Sequence, residues 1–364
     1  MSPTNLLPIV QSLCIVSDPR LQRGFSDLLH SLISTKSCLL SEWARLSLNF
    51  DAFIKKVSRL FRNKSCSWKL ENKILAWLLP RFEKKKYLPV LIDPSFVPNR
   101  YLGTPAKTRS DQTEAKKGFF LFSASLPVKG RAISFFHAVY RYTQIGYQVH
   151  KSLNTLLGAQ LFKLSLLLKD SLSKAVFIMD RGFGYEFFLK KMKELKTHYV
   201  IRARDLSTHV ISTRFKVLYK GTTPTYLVIT KKIIYNKLHV WVLLTDLKEP
   251  QEVIWLYQQR MKIEEAFKDW KSTGFNIEKL QIRQWDVLPK MIWAVVIAHM
   301  ILYLIGETIS CSKKYKNYFK QFIQIKKNLS FVQLAWKAWL YDQPALPELL
   351  SLLFSSLTHV RRAL

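Results

Sequence analysis

From Tyr87 onward the apolar residues fall in short runs of strand length, Leu88 to Ile92, Gly118 to Ser125, Ala132 to Tyr142 and Ala175 to Met179. Helical periodicity takes over from the third run onward, at Ser152 to Leu168, Tyr185 to Leu195 and Gln251 to Lys271. That alternation leaves few architectures open. A hairpin around Pro127 to Gly130, then strand, helix, strand and helix, can bury its apolar faces only in a layered α/β fold with a mixed sheet. A further strand at Tyr199 to Ala203 and a β-rich stretch from Phe215 to Leu244 precede the last of these helices.

The residues before Tyr87 read differently. Apolar positions at three and four spacing in Leu21 to Ile33, Leu48 to Phe61 and Leu70 to Leu79 predict helices, with Arg20, Arg23, Lys55, Lys56, Arg59, Arg62 and Lys64 on the polar faces. Residues 1–85 are therefore expected to be a basic helical DNA-binding domain and 86–309 an α/β domain with a β-rich insertion at about 206–248. Residues 310–364 are expected to be a helical C-terminal region, with dimerisation as its candidate role.

A formal net charge of +32 restricts the partner more than the fold, because that excess of Lys and Arg repels itself unless a polyanion neutralises it. Nucleic acid is the expected partner. A ribosomal protein of this charge would be shorter and poorer in Trp than this chain with its ten. Lys107 to Lys117 is a polar loop that can touch phosphates or simply be solvated. Cys14, Cys38, Cys66 and Cys311 are too scattered for a zinc ribbon or a disulfide framework and read as buried thiols in a reducing compartment. The opening residues do not form a secretion signal, so the cytoplasm is expected. Met291 to Gly306 is nearly continuous apolar sequence but falls short of the roughly 18 to 20 residues of a spanning helix, which predicts a core helix and no membrane.

Two aspartates each close an apolar run, Asp93 after Val90-Leu91-Ile92 and Asp180 after Phe177-Ile178-Met179. Carboxylates at the ends of neighbouring strands converge on one cleft. Taken singly, Asp93 before Pro94 and Ser95 can be an Asx turn, and Asp180 can cap the next helix. On the helix expected from Gln251, Tyr257, Arg260, Glu264 and Lys271 fall within roughly 60° of arc at about 100° per residue, and Lys268 joins them. An Arg260 to Glu264 ion pair on a solvated face is the plainer account of that stripe. Arg181-Gly182-Phe183-Gly184 begins like a dinucleotide fingerprint, but Phe187 stands where its third glycine belongs.

Asp93, Asp180 with Arg181 and Gly182 behind it, and the spaced Tyr257, Arg260, Glu264 and Lys271 together resemble the DDE transposases of bacterial insertion sequences. The branch is the cut-and-paste one marked by a Tyr-Arg-Glu-Lys signature, insertion-sequence-four-like, and the resemblance runs from roughly Tyr87 to Gly306. It implies a ribonuclease-H-like fold, double-stranded DNA as the partner, and a homodimer that grips both terminal inverted repeats. It also implies Asp93, Asp180 and Glu264 as the catalytic metal ligands, and Tyr257, Arg260 and Lys271, with Lys268, Arg181, Arg202 and Arg204, as DNA contacts. The stretch between Asp180 and Glu264 is compact for that family, and Trp241, Tyr235 and Trp255 are the candidates for stacking on a base at a hairpin end. Three carboxylates suit hard cations, two Mg2+ or Mn2+ ions, and metal-dependent strand cleavage followed by strand transfer to target DNA. A non-catalytic DNA-binding relic and a stand-alone ribonuclease-H-like nuclease are the alternatives.

Overall fold

The computed structural model describes residues 6–12, 18–47, 49–63, 70–99, 118–140, 152–203, 212–213, 216–219, 223–234, 237–271, 273–319, 330–341, 347–348 and 350–351. Arg204, Tyr235, Cys14, Cys66 and the run Lys107 to Lys117 lie outside these residues.

Five helices open the described chain: α1 (Leu7–Ser12), α2 (Pro19–Thr35), α3 (Leu40–Ala44), α4 (Phe50–Arg62) and α5 (Glu71–Leu78). Their ends are written in the sequence. Asp18 accepts a hydrogen bond from the amide of Arg20 with Pro19 at the first turn of α2, and Asn49 accepts one from Ala52 to start α4. Phe53, Val57, Leu60 and Phe61 are the buried stripe of α4, while Lys55, Arg59 and Arg62 stay exposed.

Nine strands form one sheet among the described residues: β1 (Leu88–Pro98), β2 (Gly118–Pro127), β3 (Ala132–Tyr140), β4 (Ala175–Met179), β5 (His198–Arg202), β6 (Ser212–Thr213), β7 (Lys216–Tyr219), β8 (Thr223–Ile234) and β9 (Lys237–Thr245). Their order is β3-β2-β1-β4-β5-β9-β8-β7-β6. β1, β4 and β5 run parallel, and every other pairing is antiparallel. This is the ribonuclease-H-like mixed sheet flanked by helices. The strands inserted after β5 extend the same sheet, because β9 pairs directly with β5.

The crossover between β3 and β4 carries α6 (Leu153–Leu167), which Ser152 and Thr155 start with a reciprocal capping box. α7 (Glu186–Glu194) joins β4 to β5, and α8 (Pro250–Gln258) and α9 (Met261–Trp270) follow β9. The single helix expected over Gln251 to Lys271 is thus two. At the junction the amides of Gln259, Arg260, Lys262 and Ile263 bond to carbonyls three residues back, a tightened turn that interrupts the α-helical ladder.

α10 (Leu288–Cys311) has 24 residues, longer than the apolar run suggested and long enough to cross a bilayer. Length was the wrong criterion. Burial settles its place: it packs against β3, α2 and α12 (Phe331–Tyr341), with α11 (Lys313–Tyr318) after it. Trp336 donates to Ile33 O at 3.2 Å and Trp339 to Ser34 Oγ at 2.9 Å, so the first helices share a core with α10 and α12. Cys38 is buried as expected, but Cys311, on the last turn of α10, is exposed.

Candidate active site

The parallel ladder between β1 and β4 ends at the pair Ile92 and Met179. Asp93 and Asp180 are the next residues on the two neighbouring strands, so the backbone itself brings their carboxylates to one edge. Asp180 ends its strand as expected. Asp93 does not: β1 runs on to Pro98 by pairing with β2 alone, and Asp93 stands opposite Ser123. The two carboxylates still converge, because β4 ends at Met179, opposite Ile92. The turn after Asp180 presses against β5, and a Cβ on Gly184 would come within 2.9 Å of Arg202 O. Only glycine permits that approach, and the β4–β5 register, Met179 opposite Ile201, sets Arg202 on the strand next to Asp180.

Glu264 enters from the first turn of α9, and Arg260, in the turn before it, joins the three acids. The Arg260 guanidinium lies 3.5 Å from Asp93 Oδ1 and 3.5 Å from Asp180 Oδ2, and it donates a hydrogen bond to Glu264 Oε1. Arg260 is a buried residue, 8% exposed. Burial alone would lower its pKa, but Asp93, Asp180 and Glu264 outweigh that and hold it above the ordinary value. For Asp93 the balance goes the other way. Burial pushes its carboxyl up to about 6, with Asp180 and Glu264 adding to the shift and Arg260 and Lys271 opposing it.

The other expected contacts separate into those at the cluster and those away from it. Tyr257 is buried, stacks edge-on against Trp241 at 5.0 Å, and feels Arg260, Asp180 and Arg202; burial drives its phenol up to about 12. Lys271 follows the end of α9 and donates to Ser95 Oγ at 2.8 Å and Phe96 O at 2.9 Å, so it ties α9 to the far part of β1. Arg181 is exposed next to Asp180. Lys268 turns away and pairs with Glu265. Trp241 is a core residue at 3% exposure, whereas Trp255, at 49%, presents its ring to solvent from α8.

Three residues that the sequence reading passed over fix α9 from behind. Arg131, just after the β2–β3 turn, donates to Asp269 Oδ2 at 2.6 Å and Oδ1 at 3.3 Å, and His299 of α10 lies 3.3 Å from Asp269 Oδ2. Arg131, Asp269 and His299 are all buried. A single histidine inside the apolar run Met291 to Gly306 was the available signal, since an imidazole there needs a polar partner.

Two observations fit a hard divalent cation: the donor set is entirely carboxylate oxygen, and Asp180 Oδ1 is buried with no hydrogen-bond partner among the described residues. As placed, the three acids surround a guanidinium, and among the described residues no group of three or more His, Cys, Asp or Glu closes up enough to hold a metal ion. Arg260 takes the central position.

Residues 151–301 match the family model of the transposase DDE domain. Asp180, Arg260, Glu264 and Lys271 lie inside that segment, and Asp93 joins them through the β1–β4 ladder. No curated protein matches the chain. Among solved structures it is similar to a piggyBac transposase, in a cryo-EM synaptic complex with hairpin DNA, at 14% identity over 94% of this chain and 76% of that one, with a TM-score of 0.47. It is also similar to the Mos1 transposase in a paired-end complex with the left transposon end, at 16% identity and a TM-score of 0.21, over 48% of this chain and 57% of that one.

Proposed function

We propose that this chain is a cut-and-paste DNA transposase of the Tyr-Arg-Glu-Lys branch, which cleaves phosphodiester bonds at its element's terminal inverted repeats and joins the freed ends to target DNA. One observation carries the reading: Asp93, Asp180 and Glu264, remote in sequence, meet around one cation at the edge where the parallel ladder ends. The transposase DDE domain match over residues 151–301 and the net charge of +32 support it.

Asp93, Asp180 and Glu264 would hold Mg2+ or Mn2+, which when bound stabilises the attacking and leaving oxygens of phosphodiester cleavage. Arg181 and Arg202 flank the acids on the β4 and β5 side and bind the DNA backbone there, which fixes the scissile bond without reading sequence. Tyr257 and Lys271 set the geometry of the junction, one buried against Trp241 and the other anchoring the end of α9 to β1. The exposed Lys55, Arg59 and Arg62 of α4 extend the basic surface into the N-terminal helices, which we assign to DNA binding. A homodimer on DNA, with residues 310–364 contributing contacts, hairpin ends as the excision route and action in the bacterial cytoplasm complete the proposal.

The test uses end-labelled DNA carrying the terminal repeat. Wild-type protein with Mg2+ should yield nicked, hairpin and joined products, and Asp93→Asn, Asp180→Asn or Glu264→Gln should each lose all three while still binding the repeat. Cleavage retained in Glu264→Gln overturns the assignment of the acids. Nicks that are never joined point to a nuclease instead.

A further inference from the structure

Arg260 contacts all three acids of the cluster. Its contacts with the acids are nonetheless uneven: it hydrogen-bonds Glu264 but stands 3.5 Å from both aspartates, beyond the roughly 2.7 to 2.9 Å of a charge-assisted hydrogen bond. Arg260 Nε and Asp180 Oδ1 are both buried without a hydrogen-bond partner among the described residues. Arg131 supplies the contrast within the same molecule. Its guanidinium grips Asp269 with two nitrogens at 2.6 and 3.3 Å, the fork geometry of an arginine that stays in place. Arg260 also stands in the tightened turn between α8 and α9, where its own amide bonds to Tyr257 O at 3.0 Å, outside either regular helix.

Resting on the reading of the three acids as metal ligands, we propose that Arg260 is the resident counter-ion of the metal-free cluster and competes with the divalent cation for it. In the metal-free protein the guanidinium offsets the mutual repulsion of Asp93, Asp180 and Glu264 and keeps them apart. A cation that binds all three displaces it, and the released guanidinium is then free for a DNA phosphate. The coupling is reciprocal: DNA that draws Arg260 away raises cation affinity by the same factor by which the cation raises DNA affinity.

Mn2+ binding to the full-length protein, read from the free-ion electron paramagnetic resonance signal without DNA, tests this directly. Arg260→Gln should bind Mn2+ at least tenfold more tightly than wild type, and Arg260→Lys should fall between them. A non-specific duplex should tighten Mn2+ binding to wild type and leave Arg260→Gln unchanged. Equal affinity in wild type and Arg260→Gln overturns the competition while the metal site stands. No binding in either protein, or binding that Glu264→Gln leaves intact, overturns the metal site itself. A wild-type measurement covers an Arg260→Gln variant that fails to fold: in 15N-arginine-labelled protein the Arg260 Nε resonance, assigned with Arg260→Lys, should move on adding Mg2+, and a fixed resonance under saturating Mg2+ refutes displacement.

Discussion

Replacing Arg131 by Met should destabilise the protein by about 3 to 5 kcal/mol, the usual cost of stranding one member of a buried ion pair. The structure gives the reason. At an effective dielectric of about 20, unit charges 2.6 Å apart attract by about 6 kcal/mol, and desolvation of both groups offsets part of that. Asp269 is 2% exposed, so without Arg131 its carboxylate keeps His299 as its one side-chain partner among the described residues. Arg131→Met with Asp269→Leu removes both charges and should recover most of the loss, because a buried pair replaced by apolar side chains is close to neutral. Urea unfolding followed by tryptophan fluorescence measures both variants. The pH dependence has a fixed sign. Burial alone would raise the Asp269 carboxyl, but hydrogen bonds and charge from His299 and Arg131 outweigh it and hold the value below the ordinary 3.8. A depressed carboxylate contributes stability above its unfolded value and loses it as pH falls through the folded one. The advantage of wild type over Asp269→Asn should therefore be complete above about 4 and shrink below that. A loss under about 1 kcal/mol in Arg131→Met, or a double variant as damaged as the single, would refute the pairing argument.

Asp93→Asn should stabilise the metal-free protein above pH 6: the carboxyl is raised from 3.8 to about 6, so its contribution is fully present below 3.8 and is lost as pH rises through 6. The gain should be about 1 to 3 kcal/mol in urea with chelator at pH 8, absent at pH 3.5 and reversed by Mg2+; a pH-independent difference contradicts it. The two tryptophans should part company. Trp241→Ala should cost roughly 3 to 5 kcal/mol as a core deletion, whereas Trp255→Ala should unfold within about 0.5 kcal/mol of wild type and lower only the yield of hairpin product. A Trp255→Ala variant with normal hairpin yield removes that ring from DNA stacking.

The order of elements was legible because short apolar runs with turn residues between them have few other folds to enter. β4 and α6 were anticipated to within a residue at each end, since Ser152 marks one helix start and Asp180 closes one strand. β1 was cut short at Asp93 because the alternation beyond it, Pro94 to Pro98, has no apolar run to announce it. That part of the strand is held by cross-strand partners on β2, from Ser95 opposite Leu121 to Pro98 opposite Gly118. Pairing of this kind is a long-range fact, and a local window does not contain it. The same holds for Asp269, whose role depends on an arginine 138 positions earlier.

The spacing of Tyr257, Arg260, Glu264 and Lys271 reads as one helical face, whereas the structure divides these residues among two helices, the turn between them and the end of the second. A continuous helix would have set all four on one face, each free to reach a phosphate. Instead the ladder breaks at Arg260, and the break changes what each side chain can do: Tyr257 packs inward on Trp241, Arg260 drops between the acids, and Lys271, beyond the last turn of α9, reaches back to β1. Residues bonded three apart turn by about 120° each instead of about 100°, so such a turn re-aims the side chains beyond it while leaving their spacing in the sequence unchanged. Burial is what distinguishes the two arrangements. A face of free cations would be exposed, whereas Arg260 is 8% exposed and held by three carboxylates, so its partners are the acids of the cluster rather than solvent.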